Sequence, residues 1–250
     1  MVELVINKQI TREGRALIQT YQRMAHEACA PIFWGSEETG VVEDQGTVTF
    51  VKLEQQTIAI TAAHVAEGLE NFLSDGGTAC RIGKASFFPP LSFVRHPDPT
   101  IDLAIYPVGE RFATVAGAKP VSISDWPLKQ ARDNEVVLLG GFPGMFRMEK
   151  NVDIDFGFFF YAGHIDGSVD GKMRVILDVG NSNPLTRNGI IPRFKLGGCS
   201  GGPVFRHVDR NLIERIELAG IISEGISDYE LFYAHNLSSL TKDGNFQTSR

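Results

Sequence analysis

From Ile32 to its end the sequence is a succession of short apolar runs, and this pattern limits the available folds more than any single motif does. The runs fall at residues 47–53, 57–61, 85–88, 102–106, 121–124, 136–139, 156–161, 174–179, 203–206, 217–222 and 231–234. They are rich in Val, Ile, Phe and Thr, side chains that suit a pleated, half-buried surface. Turn chemistry separates them, as at Asp75-Gly76-Gly77, Val108-Gly109 and Asp170-Gly171. Many short strands without long helices between them imply a sandwich or barrels. One clear helix precedes them at residues 10–28. There Ile10, Leu17, Ile18, Tyr21, Met24, Ala25 and Ala28 share one face, and Pro31 closes the segment. It reads as a helix packed on the outside of the main fold, or as an arm that docks a partner.

Composition narrows the function. With 250 residues, 43% of them hydrophobic, the chain builds a core without disulfide or metal staples. A net charge of −6 argues against a general nucleic-acid binder, which presents a basic face. No run reaches the ~18 apolar residues of a membrane helix. Gln9, Thr11, Arg12 and Glu13 interrupt the start before a signal-peptide core could form. Three scattered cysteines, Cys29, Cys80 and Cys199, form no CxxC pair, so a reducing, cytoplasmic setting is expected. His26, His96, His164, His207 and His235 stand in no HxH or HExxH pattern; no metal and no cofactor are expected.

Three segments carry chemistry. Gly197-Gly198-Cys199-Ser200-Gly201-Gly202-Pro203 surrounds a serine with residues small enough to admit a substrate carbonyl. Their backbone N–H groups can also turn toward a developing oxyanion. Thr61-Ala62-Ala63-His64 places a histidine just after an apolar strand, and Ile101-Asp102-Leu103-Ala104 sets one acid in an apolar stretch. Separately, each has a structural reading: a tight turn, a core histidine, a local cap.

Taken in order, TAAH, DLA and GGCSGGPV resemble the trypsin/chymotrypsin-like serine peptidases. Val137–Gly144 (VLLGGFPG) is similar to a strand and turn of bacterial members, and Ala219–Gly225 (AGIISEG) to the strand beside their substrate cleft. The resemblance spans roughly residues 32–240. It implies an all-β fold of two antiparallel six-stranded β-barrels with an N-terminal helix. The expected divisions are 1–31 for the helical extension, 32–118 for the first barrel and 119–250 for the second. It further implies a His64–Asp102–Ser200 triad, an oxyanion hole from the N–H groups of Gly198 and Ser200, and a polypeptide substrate lying along Ser223, Glu224 and Gly225.

Departures from the family pattern matter as much. Cys199 stands where secreted relatives carry the aspartate that pairs with a newly cut N-terminus, so activation by N-terminal trimming is not expected. Phe194 stands six residues before the serine, where Lys/Arg-cleaving relatives carry an acid, so an apolar or small P1 residue is expected. Glu224, Asp228 and Glu230 could reverse that preference. The matched frame puts Ser200 rather than Cys199 in the working position. Restraint of a latent enzyme would come from the 10–28 helix, loop 181–196 or a protein partner. Two other readings stay open: a catalytically silent binding or regulatory module of the same fold, and an α/β-hydrolase esterase using Ser200, Asp228 and His235.

Overall fold

The computed structural model describes residues 12–36, 41–86, 93–123, 126–150, 153–177, 197–210, 213–226 and 231–247. Ile10, Phe194, loop 181–196, Asp228 and Glu230 lie outside them.

The first half contains β1 (Cys29–Gly35), β2 (Val42–Lys52), β3 (Thr57–Thr61), β4 (Ala79–Ile82), β5 (Ala85–Ser86), β6 (Val94–Arg95) and β7 (Ala104–Val108). They pair antiparallel in the order β5-β4-β1-β2-β3-β7-β6, and β8 (Val121–Ser122) adds to β2 in parallel, making eight strands. The second half contains β9 (Val136–Gly141), a two-stranded hairpin of β10 (Arg147–Lys150) and β11 (Asp153–Phe156), then β12 (Phe159–Val169), β13 (Lys172–Leu177), β14 (Pro203–Arg210), β15 (Ile213–Ile226) and β16 (Leu231–Asn236). All but the hairpin close into a six-stranded barrel, β12-β13-β16-β15-β14-β9. The all-β expectation holds, and the second barrel has the expected six strands. The first layer differs, since its described pairs leave β5 and β6 as edges and number more than six. An almost wholly antiparallel architecture is not an α/β-hydrolase, and the esterase reading is withdrawn.

Three apolar clusters explain the arrangement. Ile32, Trp34, Val48, Phe50, Ala59 and Ile82 fill the first layer, and Val137, Leu139, Val175, Val204, Ile222 and Phe232 fill the barrel. Between them, Val51, Ile58, Ile60 and Ile105 from the first sheet meet Leu138, Phe160, Phe205, Leu218 and Ile221 from the barrel. β3 therefore has apolar neighbours on both faces and is buried at every position, which hides the alternation of a half-exposed strand.

Helix α1 (Arg12–Glu27) joins the middle cluster through Leu17, Ile18, Tyr21 and Ala25, with Ala28 just beyond its end. Two details correct the sequence reading. Met24 is 43% exposed rather than buried. Pro31 does not end the helix; it lies inside β1 opposite Thr47, whose N–H goes to Ser200 and whose carbonyl accepts from the Thr61 hydroxyl. The sheet thus loses nothing by the missing proline N–H. Two further helices go beyond the sequence reading, α2 (Ala63–Ser74) and α3 (Glu110–Ala116). In α2 the buried Val65, Ala66 and Leu69 recur at helical spacing, a signal overshadowed by the strand pattern on either side.

Phe205 is 2% exposed at the centre of the middle cluster. Phe205→Ala is expected to lower stability by about 3–5 kcal/mol in urea unfolding. The exposed Val115→Ala should change it by less than about 0.5 kcal/mol.

Candidate active site

His64 sits in the first turn of α2, directly after β3 delivers the chain to the edge of the first layer. Its backbone N–H, one of the groups a helix start leaves unpaired, donates to Asp102 Oδ1 at 2.9 Å. Its Nδ1 lies 2.7 Å from Asp102 Oδ2. Both carboxylate oxygens thus serve one residue, fixing ring orientation as well as charge. Nδ1 donating to the carboxylate leaves the Nε2 lone pair free to accept a proton.

The electrostatics agree with the geometry. The Asp102 hydrogen bond raises the His64 pKa above the ordinary 6.5, outweighing burial, with Asp44 and Glu224 adding to the rise. Burial opposes ionisation of Asp102, yet the side-chain and backbone bonds from His64 hold its carboxyl below the ordinary value. The aspartate lies in an irregular loop before β7, tied by His96 N–H to Leu103 O at 2.9 Å. Its own backbone N–H donates to His235 Nε2 at 3.0 Å.

Ser200 occupies a turn before β14 whose glycines adopt the left-handed backbone, φ +98° at Gly198 and +93° at Gly201. A Cβ at Gly201 would stand 1.8 Å from the Thr47 carbonyl, so only glycine lets the loop lie against β2. Each carbonyl of this loop is held from behind. Gly197 O accepts from Gly144 N–H at 2.8 Å, Gly198 O from the Thr47 hydroxyl at 2.7 Å, and Cys199 O from Gly202 N–H at 2.9 Å. Ser200 O accepts from Thr47 N–H and Gly201 O from the Thr49 hydroxyl, both at 2.8 Å.

In a trans peptide the N–H points opposite the carbonyl. Anchoring the carbonyls of Gly197 and Cys199 therefore turns the N–H groups of Gly198 and Ser200 to the other side. Among the described residues neither N–H donates a hydrogen bond. Gln45 supports the same region, donating to Phe142 O at 2.8 Å while its Oε1 accepts from Arg147 at 2.9 Å.

The Ser200 hydroxyl donates to Ser223 O at 2.9 Å, not to His64. Ser223 is the bulged residue of β15, between the Ile222–Ala234 and Glu224–Tyr233 pairs, and the bulge aims its carbonyl at the serine. Glu224 is exposed and Gly225 half-buried on the same strand, while Phe194 lies outside the described residues. Cys199 is 1% exposed and packs in the barrel cluster, where burial pushes its thiol pKa far up; it is no ready thiolate. Among the described residues no three His, Cys, Asp or Glu gather as metal ligands.

The structure brings His64 and Asp102 together, and Ser200 lies in the glycine turn with Gly198. The sequence motifs do not point to Gln45, Thr47 or Arg147, and they raise His235 only within the esterase reading, not as a partner of Asp102. A threonine at alternate positions of Gly46-Thr47-Val48-Thr49 was the visible trace, since Thr47 and Thr49 share the strand face that meets the turn.

No family model matches the sequence, and no curated protein matches it. The structure is similar to a thermostable serine protease from an extremophilic microorganism, at TM-score 0.50 and 11% identity, covering 85% of this chain and 92% of that one. It is also similar to a protease of M. tuberculosis in its active form, at TM-score 0.47 and 18% identity over 88% and 81% of the chains. A third solved neighbour is the serine protease domain of the Sesbania mosaic virus polyprotein, at TM-score 0.46 and 14% identity over 83% and 88%. At such identities likeness extends to the fold alone, and the fold of this chain is chymotrypsin-like.

Proposed function

We propose that the chain is a serine endopeptidase acting through Ser200, His64 and Asp102. The observation that carries this reading is the nucleophile turn. Its carbonyls are all anchored, and among the described residues two backbone N–H groups beside the serine have no acceptor, while His64 is already paired with Asp102.

The steps follow from that arrangement. Rotation about the Ser200 Cα–Cβ bond carries its hydroxyl from Ser223 O to His64 Nε2. Oγ attacks the peptide carbonyl carbon while Nε2 takes the hydroxyl proton. Asp102 keeps the ring in the correct tautomer and stabilises its charged form, the division of labour long established for chymotrypsin-like peptidases. The oxyanion receives the N–H groups of Gly198 and Ser200. Collapse of the adduct expels the amine, which takes the proton from His64, and water then releases the acyl group by the same route. The substrate backbone would add along Ser223, Glu224 and Gly225 as an antiparallel strand, leaving side-chain pockets to select. Asp44 and Glu224, whose charges reach His64, give the cleft a negative character.

One observation favours the silent-module reading, namely that the Ser200 hydroxyl bonds Ser223 rather than His64. A fluorophosphonate probe separates the two. Wild type and Cys199→Ala are expected to be labelled and Ser200→Ala not; a folded wild type that takes no label contradicts the peptidase reading. The labelling rate should rise with pH as His64 loses its proton, with a midpoint above the ordinary 6.5, because the Asp102 bond favours the charged ring. Asp102→Asn should move that midpoint down.

Thr47→Val keeps the shape but removes the hydroxyl that holds Gly198 O and accepts from Phe142 N–H. Each buried group left unpaired should cost about 1–3 kcal/mol of stability. Labelling should fall ~10²-fold as the oxyanion site loosens. Thr47→Ser should recover most of both.

A further inference from the structure

We propose that His235 is a positioning residue for the triad aspartate, accepting the Asp102 backbone N–H and so setting the carboxylate from the opposite barrel. This rests on the triad reading above and deepens it.

The placement follows from strand alternation. In β16, Phe232 and Ala234 face the barrel interior, so His235 points outward, toward the first layer. It is 2% exposed there, yet its Nε2 has a partner, Asp102 N–H at 3.0 Å, across 133 residues of sequence. Asp102 lies just outside β7, so its N–H has no ladder partner, and the imidazole supplies the acceptor. The peptide plane of residues 101–102 is thereby fixed, and with it the direction in which the side chain leaves the backbone.

The polarity of the bond matters. His235 accepts through Nε2 and directs no N–H from that atom at the carboxylate, so Oδ1 and Oδ2 stay committed to His64. Acceptance requires a neutral ring. Burial first, then the Lys172 charge on β13, bring the His235 pKa down to about 4; His96 adds to this, while Asp102 and Asp98 oppose it. The chain after β16 reinforces the same loop. Ser239 Oγ lies 3.2 Å from His96 Nε2, and the Phe246 ring packs on the His96 ring at 4.7 Å. The aspartate loop thus belongs to the first layer by sequence and is held by the second.

Two substitutions in the full chain test this. His235→Gln retains an acceptor that reaches the same N–H, whereas His235→Phe fills the space without one. Displacing a catalytic group by about 1 Å costs ~10²-fold, so His235→Phe should lower fluorophosphonate labelling by about that factor. Its acid limb should also move to lower pH, because His64 loses the aligned carboxylate. His235→Gln should keep the wild-type limb. A general packing role would lower the melting temperature without moving the limb. The ring titration of His64, followed by NMR in a Ser200→Ala background, reads the same shift without needing activity.

A third measurement needs no substitution at position 235. Imidazole 15N spectra of wild type at neutral pH should show His235 neutral, with its proton on Nδ1. An unmoved His64 titration in folded His235→Phe, or a His235 proton on Nε2, overturns the proposal. Absence of labelling in the wild type would instead contradict the peptidase reading and leave the two NMR results to decide this one.

Discussion

Thr47 commits its N–H and its hydroxyl to the junction between the two layers and its carbonyl to the neighbouring strand. Its N–H donates to Ser200 O, its hydroxyl donates to Gly198 O and accepts from Phe142 N–H, and its carbonyl accepts from the Thr61 hydroxyl. The residue is fully buried, so every one of these bonds is made where an unpaired group would be costly. The left-handed glycines of the turn around Ser200 would have no reason to hold their shape without a partner surface. β2 provides it, and Gly201 packs against the Thr47 carbonyl closely enough to exclude any side chain.

A site assembled this way depends on both layers at once. The first contributes His64 and Asp102 and the second Ser200, while the ties that orient them run crosswise. Thr47, Thr49 and Gln45 reach from the first layer to the glycine turn and its support, and His235 reaches back from the barrel to Asp102. The middle apolar cluster keeps the layers in register, and α1 extends it, with His26 packed on Phe142 and Phe158 behind the same turn. Cys199, buried among apolar neighbours, has no charge to offer an N-terminal amine. Neutral hydrogen bonds from Gly144, Thr47 and Thr49 hold the turn instead.

How much of this was legible varied with the kind of interaction. Local chemistry was easy to read: the glycines around Ser200, the small residues before His64 and the acid before β7 stand together in the sequence. The strand pattern pointed to the all-β class because Val, Ile, Phe and Thr cluster between turn residues. Missing were elements whose signal is weak or shared. β4 and β6 are too short to show alternation, and β1 carries Pro31 at a position made harmless because Thr47 opposite it bonds Ser200 and Thr61 instead. Helix α2 was hidden because it begins at Ala63, beside His64 and within two residues of the strand that precedes it. Long-range ties such as Thr47 to Gly198 or His235 to Asp102 leave no local trace, since a buried threonine or histidine looks the same in sequence whatever it touches.

The central claim is that the turn is held ready, with Gly198 and Ser200 N–H directed at one point. The most direct measurement is a crystal structure of the chain after reaction with a fluorophosphonate. A turn held ready should show a phosphorus–Oγ bond at Ser200, a phosphoryl oxygen within hydrogen-bonding distance of both N–H groups, and the Gly197 and Gly198 carbonyls still on Gly144 and Thr47. An adduct in which the Gly197 carbonyl has turned inward, away from Gly144, would contradict it.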